Sequence, residues 1–185
     1  MKKQIISLLI IIFSLTSFQT HALEKNWKPA QDGDKIILIR HAKAPGGGDP
    51  KGFKIEDCKT QRNLNKTGIN QSKKIGKLFK EKKIKIDQVF SSQWCRCKDT
   101  AKYAFGEFKE FPALNSTYTP PFDQNEKQQI KDLKNYVSNW KSKGGNLVLV
   151  THYVIILAVT GETTRSGELV ITDKNFKVLS TINTF

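Results

Sequence analysis

Two histidines and two arginines stand at positions in this chain where they could do chemistry together. His41 and His152 each close a short apolar run of the same design, Lys35-Ile36-Ile37-Leu38-Ile39-Arg40-His41 and Asn146-Leu147-Val148-Leu149-Val150-Thr151-His152. The third histidine, His21, falls in a leader expected to be cut away. A neutral imidazole can act as a nucleophile near pH 7. Arg40 sits beside the first histidine, and Arg96 follows a third apolar run at 86–90 by way of Ser91-Ser92. Guanidinium groups offer forked donors to phosphate oxygens, and a helix starting near Ser92 adds backbone N–H donors. Gathered on one crevice, these four side chains suit a tetrahedral phosphoryl group.

Gathering them is the task of the elements. Runs of four or five aliphatic, largely β-branched residues bounded by polar ones read as buried strands of a parallel sheet. In open α/β sheets the reactive crevice lies beyond the carboxyl ends of such strands. The sequence predicts a strand at 35–40, then a glycine-rich loop, Ala44-Pro45-Gly46-Gly47-Gly48-Asp49-Pro50. A helix follows at 66–82, with Ile69, Ser72, Ile75, Gly76 and Phe79 on one face and small residues that let it lie close against the sheet. After the strand at 86–90 comes a helix carrying Arg96, Thr100, Ala101, Tyr103 and Ala104, stopped by Gly106. A short strand is expected at 110–114. A long helix should then start in a capping box of Asp123 and Glu126, bury Ile130, Leu133, Val137 and Trp140, and end at Gly144-Gly145. The strand ending at His152 leads into a short apolar helix reaching about Thr160, and 168–172 with 176–181 read as a terminal hairpin. Helices alternating with strands mean a three-layer α/β/α domain with a mainly parallel sheet.

Several strings are specific enough to name a family. Leu38-Ile39-Arg40-His41-Ala42 resembles the signature of the histidine phosphatase superfamily, which includes phosphoglycerate mutases and acid phosphatases. Arg62-Asn63-Leu64-Asn65-Lys66-Thr67-Gly68 matches a second block, Phe90-Ser91-Ser92 with Arg96 and Thr100-Ala101 a third, and Val148-Leu149-Val150-Thr151-His152 a fourth. They fall in the family's order and span the chain from about residue 35 to 170. The resemblance implies a phosphoglycerate mutase-like fold, with His41 as the nucleophile that becomes a phosphohistidine. It implies that Arg40, Arg96 and His152 bind the phosphate oxygens; Arg62 stands at a matching position, either as a further binding residue or as a brace for the helix start. It implies no metal and no cofactor.

Two departures stand out. The family usually has glycine where this chain has Ala42. Many members also take a proton donor from a carboxylate after the third strand, whereas Ala113-Leu114-Asn115-Ser116 offers none. Asp123 and Asp49 are the candidates, and the sequence does not choose between them. Some phosphohistidine phosphatases of the superfamily do without an obvious acid, because imidazole is a good leaving group.

The beginning of the chain reads as an export signal. Lys2 and Lys3 form the charged start, residues 5–18 the apolar stretch, and Thr20-His21-Ala22 the cleavage site. The expected organisation is therefore a signal peptide at 1–22 and one catalytic domain at 23–185, in the periplasm or secreted. The apolar stretch falls short of the roughly 20 residues a spanning helix needs, so no stable membrane insertion is expected after cleavage; an uncleaved anchor is the alternative. The formal net charge is +14, two units of which come from Lys2 and Lys3. The excess clusters at Lys73, Lys74, Lys77, Lys80, Lys82, Lys83 and Lys85, which reads as a solvated helix face. No stacking aromatics interleave those lysines, so nucleic acid is not an expected partner. Cys58, Cys95 and Cys97 form an odd set, and export favours one disulfide and one free thiol. Cys58–Cys95 is the preferred pair, with Cys58–Cys97 left open; the spacing fits no common zinc site.

The leading expectation is an exported, metal-independent phosphatase acting on a small phosphomonoester, with envelope phosphosugars as a natural class. A non-catalytic module binding phosphate-bearing glycan or lipid, and a phosphohistidine phosphatase, are the alternatives. A mutase would lack its bisphosphate primer outside the cell. Nothing in the sequence sets the oligomeric state.

Overall fold

The structure is a computed structural model that describes residues 27–184; the expected signal peptide at 1–22 lies outside the described residues. Its centre is a six-stranded sheet in the order β3-β2-β4-β1-β5-β6. The strands are β1 (Ile36–Arg40), β2 (Ile86–Ser91), β3 (Lys109–Glu110), β4 (Asn146–Thr151), β5 (Leu169–Thr172) and β6 (Val178–Ile182). The first four run parallel, and β5 and β6 close one edge as an antiparallel hairpin.

Alternation along the central strands builds a core on each face. Ile37 and Ile39 of β1, with Val148 and Val150 of β4, point to one side. There they meet Ile75 and Phe79 of helix α1 (Lys66–Glu81), Cys97 and Ala101 of helix α2 (Cys95–Phe105), and Trp27 and Ala30 of a helical segment at 27–31. Ile36, Leu38, Leu147 and Leu149 point the other way, against Leu133 and Val137 of helix α3 (Glu126–Asn139) and Ile155 and Ile156 of helix α4 (Tyr153–Thr160). Every residue of β4 is buried, which is why 147–150 form a continuous apolar run between Asn146 and Thr151. This is the three-layer arrangement that the alternating pattern predicts.

Four local expectations are corrected. The strand expected at 110–114 is only Lys109–Glu110, because Pro112 lacks an N–H for the ladder and starts a 3-10 turn, Pro112–Leu114. The capping box does not form: Asp123 lies in a separate 3-10 turn, Phe122–Asn125, and Glu126 accepts from Thr117 Oγ1. Helix α3 stops at Asn139, where Trp140 turns extended, so Gly144-Gly145 serves the entry to β4. There Gly145 lies so close to Asp87 that a Cβ would fall 2.4 Å from its Oδ1. Helix α1 owes its close packing to a different neighbour than the sheet. A Cβ on Gly76 would lie 2.1 Å from the carbonyl of Ala104 in α2, and one on Gly68 equally close to the carbonyl of Lys43.

The lysines at 73, 74, 77, 80, 83 and 85 are exposed, as a solvated face requires. Among the described residues no helix is long and apolar enough to cross a membrane.

Candidate active site

Parallel pairing places the two histidines side by side. The register sets Arg40 of β1 opposite Thr151 of β4, so His41 and His152 leave neighbouring strands at the same level. The backbone holds them there: His41 N–H donates to Thr151 O at 2.9 Å, and Ser92 N–H, leaving β2, donates to Val150 O at 2.9 Å. Both histidines are buried, with ring centroids 5.5 Å apart. They line a cavity of about 550 Å³ together with Arg40, Arg62, Asp49 and Arg96. The glycine-rich loop, Tyr118 and Tyr153 complete its walls. All five site residues expected from the sequence thus share one cavity.

His41 is held for attack through one nitrogen. Its Nδ1 lies 2.8 Å from Ala42 O, so Nδ1–H donates to that carbonyl and Nε2 keeps its lone pair. Burial, reinforced by the Arg96 charge, lowers the pKa of His41 well below the ordinary histidine value. Burial and Arg96 lower His152 in the same direction, and His41 adds to the effect. Both rings are therefore neutral near pH 7. His152 Nε2 lies 3.0 Å from Ser92 Oγ and 3.4 Å from Cys97 Sγ. Ser92 Oγ in turn donates to Asn115 Oδ1 at 3.2 Å, which ties the His152 ring to the loop after β3. Ala42 is fully buried, its N–H donating to Thr100 Oγ1 at 2.9 Å while that hydroxyl donates to Arg96 O at 2.7 Å. Alanine in place of glycine therefore leaves the loop bound to α2.

The arginines arrive from separate elements, each with a fixed outer end. Arg40 donates through Nη1 to Thr164 O, and its guanidinium lies over the Tyr153 ring at 5.2 Å. Arg62 donates through Nη1 to Ala44 O. Arg96 donates through Nη1 to Asp49 Oδ1 at 2.8 Å and Oδ2 at 3.1 Å, with both side chains nearly buried. Yet Nε of Arg40, of Arg62 and of Arg96 is buried without a hydrogen-bond partner. Buried donors are ordinarily paired. Three arginines with an unpaired, buried guanidinium N–H thus line one cavity and give it a strongly cationic wall.

Neither proton-donor candidate fits that role. Asp49 accepts from Arg96, from Trp94 Nε1 at 3.0 Å and from Arg62 N–H at 3.0 Å, so both its oxygens are engaged as acceptors. It orients Arg96. Asp123 is exposed and outside the cavity wall. Among the described residues no three or more His, Cys, Asp or Glu side chains gather to hold a metal.

Comparison with known proteins agrees with this geometry. The family model for the histidine phosphatase superfamily (branch 1) matches residues 36–141, more than half of the chain. The chain belongs to the histidine phosphatase superfamily. No curated protein sequence matches it. Solved structures share its fold at low identity. The protein histidine phosphatase SixA complexed with tungstate is 13% identical, with a TM-score of 0.56, covering 81% of this chain and 97% of that one. The putative phosphohistidine phosphatase SixA from Agrobacterium tumefaciens is 17% identical, with a TM-score of 0.56 over 81% of this chain and 97% of that one. TTHB049 from Thermus thermophilus is 17% identical, with a TM-score of 0.55 over 80% and 99%. Membership in the superfamily implies phosphatase activity.

This histidine phosphatase carries site residues that sequence spacing does not reveal. Ser92, Thr100 and Asn115 position the catalytic candidates, with Asn115 Oδ1 accepting from Gln93 N–H at 2.9 Å. Tyr118 and Tyr153 line the mouth. The disulfide pairs Cys58 with Cys95, the first residue of α2 and the neighbour of Arg96. Cys97, the free thiol, is buried against His152, and burial pushes its pKa up to about 12.

Proposed function

We propose that this protein is an exported phosphatase that moves a phosphoryl group from a small phosphorylated substrate to His41 and then to water. The observation that carries this reading is the neutral His41 ring, fixed through Nδ1 with Nε2 free, among three arginines whose buried Nε–H groups have no partner. In the first step Nε2 attacks phosphorus and the bond to the leaving group breaks, its electron pair departing with the leaving group. In the second, a water oxygen attacks phosphorus, the P–N bond breaks, and inorganic phosphate and neutral His41 are regenerated. Arg40, Arg62, Arg96 and His152 would bind the phosphoryl oxygens, each charged bond contributing about 1.5–3 kcal/mol. Donors fixed in advance are typically the largest catalytic contribution. The three arginine cations neutralise developing charge as a metal does elsewhere, so the proposal requires neither metal nor cofactor. A structural relative is complexed with tungstate, a tetrahedral oxyanion, which supports an oxyanion pocket here.

Export rests on residues 1–22, outside the described residues, and the Cys58–Cys95 disulfide supports it, since such bonds persist in oxidising compartments. It directs attention to phosphomonoesters outside the cytoplasm, envelope phosphosugars among them. A second reading, hydrolysis of phosphohistidine, is favoured by the engaged oxygens of Asp49, because that substrate makes little demand for an enzyme acid. A purely binding module has no use for the fixed, neutral His41.

The test is hydrolysis of an aryl phosphate by the purified protein. His41→Ala should abolish it while the fold is retained by circular dichroism. Brief exposure of the wild type to radiolabelled substrate should leave an acid-labile, base-stable label that the variant lacks. Activity should survive a strong chelator. Retention of more than a few per cent of activity without His41 would remove the assignment.

A further inference from the structure

Tyr118 and Tyr153 are not used by phosphoryl binding, and they form a corner at the cavity mouth. Tyr118 is 55% exposed, among the few large apolar side chains of the described residues left open to solvent. Its ring meets Tyr153 at a centroid distance of 5.9 Å and an interplanar angle of 62°. One side of Tyr153 carries the Arg40 guanidinium, so the aromatic corner is joined directly to a phosphate-binding cation. Both rings line the same cavity as His41. A phosphoryl group seated against His41 must send its leaving group outward, and Tyr118 is the solvent-exposed aromatic ring of the wall that such a group would meet.

The proton inventory points the same way. Asp49 is the carboxylate in the cavity wall, and its oxygens already accept from Arg96, Trp94 and Arg62. An alkoxide leaves poorly without a donated proton, whereas phenols and imidazoles leave as far more stable species. A flat ring also gains from edge-to-face or offset contact with tyrosine.

We infer that Tyr118, backed by Tyr153, is the leaving-group subsite, and that the enzyme selects phosphoryl groups carried by an aromatic ring over those carried by an alkyl alcohol. This rests on the phosphatase reading above and names its substrate class. The ring chemistry is shared by phenolic and imidazole phosphates. Phenyl phosphate and phosphoimidazole serve as separate arms of the test, with glycerol 3-phosphate and glucose 6-phosphate as alkyl references.

The readout is the ratio of kcat/KM for each aromatic substrate to that for each alkyl reference, measured within one preparation. Intrinsic reactivity then cancels between variants, and so does any unfolded fraction. Tyr118→Ala should lower this ratio about three- to tenfold, the worth of one aromatic pair. Tyr118→Phe should keep the wild-type ratio, because the ring and not the hydroxyl makes the contact. A ratio unchanged in Tyr118→Ala, or lowered equally by Tyr118→Phe, would overturn the subsite. A fall confined to the phenyl or to the imidazole arm identifies the ring the corner fits, and either supports the proposal. Failure of the wild type to turn over any of the four substrates would instead overturn the phosphatase reading itself.

Discussion

At the scale of single residues, Asp49 decides more than its place in a glycine-rich loop implies. It holds Arg96 through two contacts and fixes Trp94 beside the His152 ring, 5.4 Å between centroids. A group that positions another should matter equally for every substrate, whereas a proton donor should matter most where the leaving group is poor. Asp49→Asn is therefore expected to lower kcat/KM about 10- to 100-fold on p-nitrophenyl phosphate and by the same factor on an alkyl phosphate. A loss confined to the alkyl substrate would make Asp49 the acid after all. Cys97 is the other revision. The sequence leaves it over as a spare thiol, yet it is packed against His152 with its pKa pushed up to about 12. It should resist alkylation in the native protein and react only on unfolding, which mass spectrometry with and without denaturant will read.

At the scale of elements, α2 is the part on which the site depends. It is pinned at its start by the Cys58–Cys95 bridge, by Gln61 Oε1 accepting from Cys95 N–H at 3.0 Å, and along its length by α1. The bridge closes a loop of 37 residues. Its loss should cost about 2–4 kcal/mol of stability in the chain-entropy picture. Arg96 is the next residue, so activity should fall along with Tm. Cys58→Ser, Cys95→Ser and the reduced wild type should resemble one another in thermal denaturation and in kcat/KM. Intact activity in all three would separate the bridge from the site. Gly76→Ala tests the other restraint. Alanine favours a helix by up to about 1 kcal/mol, but its methyl would meet the Ala104 carbonyl at 2.1 Å. Overpacking costs about 1–3 kcal/mol, so the variant should melt below the wild type.

At the scale of the whole molecule, two neutral histidines buried among arginines couple catalysis to pH stability. Both have pKa values lowered well below the ordinary range by burial and then by Arg96. Below about pH 6.5 the unfolded chain takes up protons on these rings that the native state refuses. Stability is therefore intact above the ordinary histidine pKa and falls as pH drops below it, by up to about 1.4 kcal/mol per pH unit for each ring. Urea unfolding between pH 7.5 and 5 should show this slope, and it should be halved in His152→Gln. The acid limb of kcat/KM should lie below the ordinary histidine range, because His41 stays unprotonated there. An acid limb centred at 6.5 or above would contradict the buried, neutral His41.

Much of this was written in the chain. The apolar runs ending in His41 and His152 determined two buried parallel strands, because a strand covered on both faces must be apolar at every position. Arg40, His41, Arg96 and His152 were legible for a related reason, since parallel strands deliver the residues that follow them to one edge, whereas Arg62 was legible only through its family motif. The disulfide was legible only in part: the sequence preferred Cys58–Cys95 but left Cys58–Cys97 open, and the fold made the choice. Side-chain contacts between distant segments were not legible. Asp49 meets Arg96 across 47 residues, Ser92 meets His152 across 60, and Tyr118 in a loop meets Tyr153 at the start of α4. Local pattern carries no information on such pairs, since periodicity reports which face a residue takes and not what waits there. Only the folded packing decided that the candidate acid is an anchor, that the spare cysteine lies against His152, and that the wall of the cavity carries two tyrosines.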